Sequence, residues 1–198
     1  MGRIREPVLR ALSLSWVPLT AALLSLILSI ASIVISMRQP EVILILPDQV
    51  RVAQGRASGS AFVYLQPAFV STGQNDRVEV IRTMTLEVQA GTGGAVSFTW
   101  DEQARLVGDP DTGILSYEYA ADPVPLLVSP RNASAPLCLF DAPDGWFFAP
   151  GTYTFTLIAD RVVTSAPIRA SFTIDISAED IQFLDGPGAA KFLSFPIR

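Results

Sequence analysis

The sequence contains no histidine, and Cys138 is the only cysteine among its 198 residues. Histidine is the commonest general base in enzymes and the commonest ligand of zinc, copper and non-haem iron. A single cysteine forms neither an intrachain disulfide nor a thiolate metal cluster. Glycine-rich phosphate loops, nucleophile elbows and Ser-His-Asp sets are also missing from the sequence. We therefore expect a protein that is not an enzyme and that uses no cofactor.

Positive charge is scarce beyond residue 40, where ten basic residues stand against eighteen acidic ones. That part of the chain carries a net charge of −8, whereas residues 1–40 carry +3. Proteins that bind nucleic acids need a basic face to meet the phosphates, so we expect no nucleic-acid partner. The dispersed acidic residues instead indicate a soluble domain after residue 40.

A run without any charge spans residues 11–37 and is followed by Arg38. A bilayer core about 30 Å thick requires about 20 helical residues, so the run is long enough to cross it. A cleaved signal peptide is the alternative, but its apolar region has only about 7–15 residues and ends at a small-residue site. We therefore predict a retained transmembrane signal anchor over residues 11–38, with the lipid bilayer as its partner.

Arginines are unevenly distributed around this run. Arg3, Arg5 and Arg10 precede it, whereas Arg38 follows it. Because the more basic flank of a membrane helix stays in the cytoplasm, residues 1–10 are predicted to form a cytoplasmic leader. The protein would then cross the cytoplasmic (inner) membrane once, with its C-terminal domain periplasmic or extracellular.

Small side chains recur along the apolar run in steps of three and four residues. In an α-helix such steps keep side chains on one face, where a second helix can approach closely and hydroxyls can bond across the contact. The pattern predicts a helix-packing seam that binds another membrane protein. The alternative is that the hydroxyls bond only to carbonyls of their own helix. The seam consists of Ala22, Ser25, Ser29, Ser32 and Ser36.

After Pro40 the sequence changes to short runs rich in β-branched and aromatic residues, separated by turn residues. Residues 77–90 alternate in polarity, which indicates a strand with one buried face. The apolar set is Val78, Val80, Met84, Leu86 and Val88, and the opposite set includes Arg77, Glu79 and Glu87. A glycine-rich turn and a second run at 95–100 complete a predicted hairpin. Seven to nine such strands predict an all-β fold, an antiparallel immunoglobulin-like β-sandwich over residues 39–177.

The C-terminal part contains one helix signal. Ser177, followed by Glu179 and Asp180, is typical of a helix N-terminus. Glycine and proline residues follow this segment, and they do not favour regular structure. We expect residues 178–198 to form a short helix and a loose C-terminal tail.

Several stretches resemble known proteins. PAFVSTGQNDRVEVIRTMTLEV is similar to the strand-turn-strand unit of immunoglobulin-like and fibronectin-III-like domains of bacterial surface proteins, and FAPGTYTFTLIAD resembles their penultimate strand. A signal anchor followed by a proline and a β-run is similar to small single-pass bacterial envelope proteins. Ser71 and Thr72 stand where these domains often have an asparagine, and one cysteine excludes the disulfide of antibody domains. The resemblance implies a β-sandwich in the bacterial envelope and no particular activity.

The stretch GDPDTG places Asp109 and Asp111 two residues apart in a glycine-bounded loop. Alternate carboxylates of this kind can ligate calcium, which takes six to eight oxygen ligands. The twelve-residue loop with a terminal glutamate is absent, however, and Asp-Pro dipeptides mark turns. The turn interpretation is therefore preferred, and Asp109 and Asp111 stay a weak calcium candidate.

The stretch FDAPDGWFF combines carboxylates with aromatic residues. Asp141, Asp144 and Trp146 could form a carbohydrate platform or an acid pair for glycoside hydrolysis. The alternative is a Pro-Asp-Gly turn with Trp146 or Phe148 packed in the core. If any loop presents aromatic side chains to a protein partner, we expect it to be this one, through Asp144, Trp146, Phe147 and Phe148.

These observations favour a membrane-anchored, non-enzymatic binding or accessory subunit with a β-sandwich outside the cytoplasm. Its partners would be other membrane or envelope proteins, bound through the transmembrane helix, the sandwich or both. A carbohydrate-binding or hydrolytic surface module and a purely structural envelope protein are the alternatives.

Cys138 lies between Leu137 and Leu139 and is predicted to be a buried apolar side chain.

Overall fold

The computed structural model of the protein describes residues 6–37, 41–55, 59–72, 77–108, 115–186 and 192–198. The chain divides into two compact units, Met1–Gln39 and Pro40–Arg198. The first unit contains the helix α1, Glu6–Met37. Within it, Trp16–Met37 has a mean hydropathy of 2.4 and exposed side chains. The chain therefore has an N-terminal helix that is long and apolar enough to cross a membrane.

The second unit is built mainly from β-strands, as the β-branched and aromatic residues after Pro40 predict. The described residues form twelve strands, more than the seven to nine expected. A short helix, α2 (Ala178–Leu184), lies between the last two strands. The strands are β1 (Val42–Ile45), β2 (Gln49–Gly55), β3 (Ser60–Leu65), β4 (Ala68–Ser71), β5 (Glu79–Ala90), β6 (Ala95–Gly108), β7 (Leu115–Ala121), β8 (Leu126–Val128), β9 (Cys138–Asp141), β10 (Gly151–Arg161), β11 (Ile168–Ile176) and β12 (Phe192–Pro196).

The described strands form two sheets, and the strand pairs within them are antiparallel. The small sheet pairs β1 with β4. The large sheet has the order β11-β10-β5-β6-β9-β3-β2-β12, with β7 added to β6 and β8 added to β5. Thr173 of β11 exchanges two backbone hydrogen bonds with Arg198, which follows β12, at 3.1 and 3.4 Å. The two ends of the strand order therefore meet, and the large sheet is nearly closed.

The predicted all-β character of the second unit is confirmed, whereas its sheets are not clearly those of an immunoglobulin-like sandwich. The unit is mainly β, but its large sheet resembles a nearly closed barrel more than one half of a two-layer sandwich. The difference arises because the sheet curls until its edge strands meet, an arrangement that leaves few free strand edges. Local alternation of polar and apolar residues is the same in sandwiches and barrels, so it could not separate the two.

The predicted hairpin of β5 and β6 is confirmed, with Gly91 at a φ of +50° in its turn. The expected alternation of β5 holds only for its later half, where Met84, Leu86 and Val88 are buried. In the first half Glu79 is buried and Val78 is exposed, opposite to the prediction. The cause is a bulge in β5. Asp160 pairs with Thr83 but Arg161 pairs with Ile81, so β5 has one residue more than β10 at this point. This extra residue exchanges the buried and the exposed face of β5.

The core lies inside the large sheet. Phe98, Phe140, Phe155 and Leu157 are each fully buried, and the rings of Phe155 and Phe172 stack 5.0 Å apart. Cys138 is buried, as predicted, and desolvation raises the pKa of its thiol above the ordinary range. The thiolate form that nucleophilic cysteine requires is therefore disfavoured at this position.

The C-terminal segment is more ordered than expected. The short helix is confirmed: the Ser177 hydroxyl accepts a bond from the Asp180 N–H at 3.2 Å, and the Asp180 carboxylate accepts one from the Ser177 N–H at 2.8 Å. The loose tail is wrong, because β12 pairs with β2 at five positions and buries Phe195. An alternating Phe-Leu-Ser-Phe sequence after the glycine-rich segment provides the side chains for this strand.

Candidate interaction surface

The candidate partner loop, residues 143–150, connects β9 to β10 and lies at one end of the barrel, here called the loop end. Its first part is a reverse turn, in which the Trp146 N–H donates to the Pro143 carbonyl at 3.0 Å. Gly145 has a φ of +77°, a conformation that favours glycine, and its N–H donates to the Gly59 carbonyl at 2.8 Å. The Pro-Asp-Gly turn expected from the sequence is present.

The three aromatic side chains of the loop have different environments. Phe148 is buried with only 3% of its surface exposed, whereas Phe147 is 37% exposed. Trp146 is half-buried, with its ring edge-on to Phe148 at 4.7 Å and to Phe98 at 5.0 Å. Phe148 and Trp146 therefore hold the loop on the core. Phe147 is the aromatic side chain that the loop presents to solvent.

A buried glutamine on β2 fixes the backbone of this loop. Gln54 is 4% exposed, and its Oε1 accepts a bond from the Phe148 N–H at 2.9 Å. Its Nε2 donates to Asp185 Oδ1, also at 2.9 Å, so it joins the loop to the end of α2. Tyr153 also fixes the loop. Its hydroxyl accepts a hydrogen bond from the Ala149 N–H at 2.8 Å and donates one to the Ala149 carbonyl at 2.9 Å.

These contacts border a surface cleft of about 480 Å³. Its lining residues are Gln54, Phe147, Phe148 and Asp185. The cleft thus combines an exposed aromatic ring with a carboxylate and an amide whose positions are fixed by hydrogen bonds.

Gln54 and Asp185 were not identified from the sequence. They lie 131 residues apart, and no local pattern links them. The available signal is that Gln54 occupies the same alternating positions of β2 as the apolar Val50 and Val52, so a polar side chain is directed into the core.

The carbohydrate hypothesis concerns Asp141, Asp144 and Trp146. Burial raises the pKa of Asp141, the hydroxyl of Ser60 opposes this by donating a hydrogen bond of 3.0 Å, and the charges of Asp101 and Asp144 add to the rise. Asp144 is exposed at the turn. A sugar-binding platform requires a free aromatic face, and Trp146 uses its ring in edge contacts with the core. The geometry favours the structural interpretation of Trp146.

A second aromatic cluster lies outside the predicted site. Tyr64 and Tyr117 stack with ring centroids 3.9 Å apart, and Phe192 meets Tyr117 edge-on at 4.9 Å. The guanidinium carbon of Arg51 lies 5.9 Å from the Tyr117 ring centre. Burial, together with the charge of Glu102 and the neighbouring Tyr117, raises the pKa of Tyr64 to about 12. The cluster joins the β6–β7 hairpin to β3 and β12.

The predicted calcium residues Asp109 and Asp111 lie outside the described residues. Within the ranges that the structure describes, no three cysteine, aspartate or glutamate side chains lie close enough to hold a metal ion.

The predicted seam residues all lie on α1 and are exposed. At 100° per residue, Ala22, Ser25, Ser29, Ser32 and Ser36 fall within about 80° of the helix circumference. The Ser29 hydroxyl donates to the Ser25 carbonyl and the Ser36 hydroxyl to the Ser32 carbonyl, both at 2.8 Å. These bonds are the intrahelical alternative named above. They leave the narrow face of small side chains exposed.

Comparison with protein-family models, curated proteins and solved structures gave no match. The coarse resemblance to β-rich surface domains is supported by the mainly β fold, whereas an immunoglobulin-like or fibronectin-III-like identity stays a prediction.

Proposed function

We propose that this protein is a non-enzymatic binding or accessory subunit, anchored by α1 in the cytoplasmic membrane of a bacterium with its barrel outside the cytoplasm. The observation that carries the proposal is the apolar surface of Trp16–Met37, whose side chains are exposed along 22 residues. An exposed apolar surface of this length is unfavourable in water and suits the hydrocarbon core of a bilayer.

The distribution of arginines supports this orientation. Arg3, Arg5 and Arg10 precede the apolar segment, and Arg38 follows it, so the positive-inside rule favours a cytoplasmic N-terminus. The net charge of −8 after residue 40 suits a soluble domain beyond the membrane.

The loop end supports a binding role. Phe147 is exposed beside a cleft whose backbone is held by Gln54 and Tyr153. A fixed loop loses little conformational entropy on binding, and exposed aromatic side chains beside a cleft are typical anchors of protein interfaces. We infer that Phe147 contacts another membrane or envelope protein.

Photo-crosslinking in native membranes tests this role. A photoreactive residue replaces Phe147, and a matched one replaces Thr154, which is exposed on β10 outside the loop. We expect one adduct of defined mass from position 147, none from position 154, and loss of the 147 adduct when Gln54→Ala frees the loop. No adduct from position 147, or equal adducts from both positions, would contradict a partner at this loop.

The carbohydrate hypothesis rests on the carboxylates Asp141 and Asp144 beside the aromatic Trp146. It predicts that Asp144→Ala and Trp146→Ala abolish binding to glycans, as measured on immobilised cell-wall polysaccharide. Unchanged binding in both variants would dispose of it. A purely structural envelope role would leave both the glycan assay and the crosslinking assay without signal.

A further inference from the structure

An apolar patch lies at the opposite end of the barrel from the partner loop. β10 runs 11 residues from the loop end to Arg161, a length of about 33 Å at the rise of an extended strand. Beyond it, Val162 and Val163 are 47% and 45% exposed in the turn to β11. Val78 and Leu127 are 43% and 58% exposed on neighbouring elements. We call these four residues the aliphatic patch.

The four side chains are brought together by strand pairing. Leu127 of β8 lies opposite Val80 of β5, and the Val162 N–H donates to the Val80 carbonyl at 2.9 Å. Val78 lies two residues before Val80 on the same chain and therefore on the same face. The bulge in β5 places that face outward, so the patch results directly from the exchange of faces described above.

A buried carboxylate fixes the turn that carries the two exposed valines. Glu79 is fully buried, and its Oε1 accepts bonds from the N–H groups of Val80 and Val163, each at 3.0 Å. Its Oε2 accepts a bond from the Thr164 hydroxyl at 2.9 Å. These bonds hold Val162 and Val163 at the surface and satisfy the buried acid.

The same end of the barrel receives the chain from the N-terminal unit. The Thr72 N–H donates to the Glu41 carbonyl at 2.9 Å, and Val42 pairs with Ser71. Phe69 pairs in antiparallel fashion with Ser134, and Ser129, directly after β8, pairs with Asn132. Glu41 therefore lies one strand away from the segment that follows β8, with β4 between them, at the end where β5 begins.

The connection to α1 is short. Residues 38–40 separate Met37, the last residue of α1, from Glu41. Four Cα–Cα steps span at most about 14 Å. If α1 spans a bilayer, Glu41 and the barrel end that carries it stay within that distance of the membrane surface.

We propose that the aliphatic patch docks on the lipid bilayer that α1 crosses, with Val162, Val163 and Leu127 at the headgroup boundary. Aliphatic side chains partition into this boundary, and exposed arginines beside them, Arg77 and Arg82, can contact lipid phosphates. The exposed Glu41 and Asp160 lie at this end too, so the docking depends on the apolar side chains rather than on net charge. The proposed docking rests on the proposed membrane anchor.

Lipid-borne quenching of a fluorophore on the full chain tests the docking. The chain carries Cys138→Ala and one new cysteine labelled with an environment-sensitive dye, in phosphatidylcholine vesicles containing spin-labelled lipid. The dye sits at Ser165→Cys beside the patch or at Asp144→Cys at the loop end, and both positions are exposed. We expect strong loss of emission at position 165, none at position 144, and recovery at 165 when Val162→Ser and Val163→Ser are added.

The outcomes separate the docking from the anchor. No quenching at position 165 in a chain that resists alkaline extraction overturns the docking while the anchor stands. Quenching at 165 that survives the two serine substitutions also overturns it, because the connection alone would then bring the dye to the lipid. Equal quenching at position 144 would mean that both ends of the β unit contact the lipid, which contradicts docking through the aliphatic patch. Extraction of the chain by alkali overturns the anchor and the docking together.

Discussion

Gln54 is a buried side chain that fixes the backbone of the partner loop. It accepts a hydrogen bond from the buried Phe148 N–H and donates one to Asp185, so one residue joins β2, the loop and the end of α2. Polar groups that are buried and satisfied in this way stabilise a single arrangement of the backbone. The conformation of Phe147 follows from that arrangement.

Replacing Gln54 with alanine leaves the Phe148 N–H buried without its acceptor. We expect the free energy of unfolding to fall by about 1–3 kcal/mol, the cost of an unsatisfied buried donor. Urea unfolding of the full chain in mild detergent, followed by near-UV circular dichroism, measures this. The control Gln182→Ala changes an exposed glutamine on α2 and should alter stability by less than about 0.5 kcal/mol. Equal effects of the two substitutions would show that Gln54 does not hold the loop.

The raised pKa of Tyr64 predicts that the free energy of unfolding falls at alkaline pH. Burial raises its pKa from 10.0 to about 12 in the folded protein, so the unfolded chain loses this proton first. The contribution of Tyr64 is complete below pH 10 and is lost as the pH rises toward 12. Tyr64→Phe should therefore lose less stability over this window than the natural chain in pH-dependent urea unfolding. Identical pH dependence in both proteins would contradict the raised pKa.

At the scale of elements, β12 shows how the barrel is completed. It pairs with β2 at five positions, buries Phe195, and is followed by Arg198, which bonds to Thr173 of β11. An ion pair of 3.0 Å between Arg198 and Asp175 lies at the same junction. Because this strand joins the two ends of the sheet order, its packing affects the whole unit.

Phe195→Ala should reduce the free energy of unfolding by about 3 kcal/mol, typical of truncating a buried phenylalanine. Ser194 is exposed on the same strand, so Ser194→Ala should change it by less than about 0.5 kcal/mol. Thermal unfolding of the two variants by circular dichroism compares them. A Phe195 variant as stable as the Ser194 variant would agree with a loose tail and contradict the closed sheet.

The helix-packing seam of α1 is tested by enlarging its small residues. Replacing Ser25, Ser29 and Ser32 with leucine should leave membrane insertion intact, because the segment becomes more apolar, and should abolish assembly by preventing close approach. Crosslinking in mild detergent measures assembly. The matched control replaces Ile27, Ala31 and Val34, on the other side of the helix, with leucine. Assembly that survives the seam substitutions would assign the serines to intrahelical bonds alone.

Sequence reasoning succeeded where the signal was local. Hydropathy predicted the apolar helix, alternation predicted the buried face in the later half of β5, and Ser177 predicted the start of α2. It failed at Val78 and Glu79 because one bulge residue exchanges the faces of a strand, and alternation carries no record of it. It missed Gln54 and Asp185 because their contact joins residues 131 positions apart. Closure of the barrel depends on contacts of the same long-range kind.

At the scale of the whole molecule, the two ends of the β unit differ in the side chains that they expose. One end presents Phe147 beside a cleft, and the other carries the aliphatic patch and Glu41, where the chain arrives from the N-terminal unit. The proposed anchor and the proposed docking both place the second end at the membrane. On these two proposals, the loop end would be the end farther from the bilayer.

The most direct test of this account is the mass of the native assembly, purified from membranes in mild detergent and measured intact. We predict that the chain retains its N-terminal segment, at 21.3 kDa, and travels in a complex heavier than one chain. Dissociation in the same instrument gives the mass of each component and shows whether residues 1–37 are still attached. A chain that lacks this segment and migrates as a monomer would contradict both the retained anchor and the accessory role.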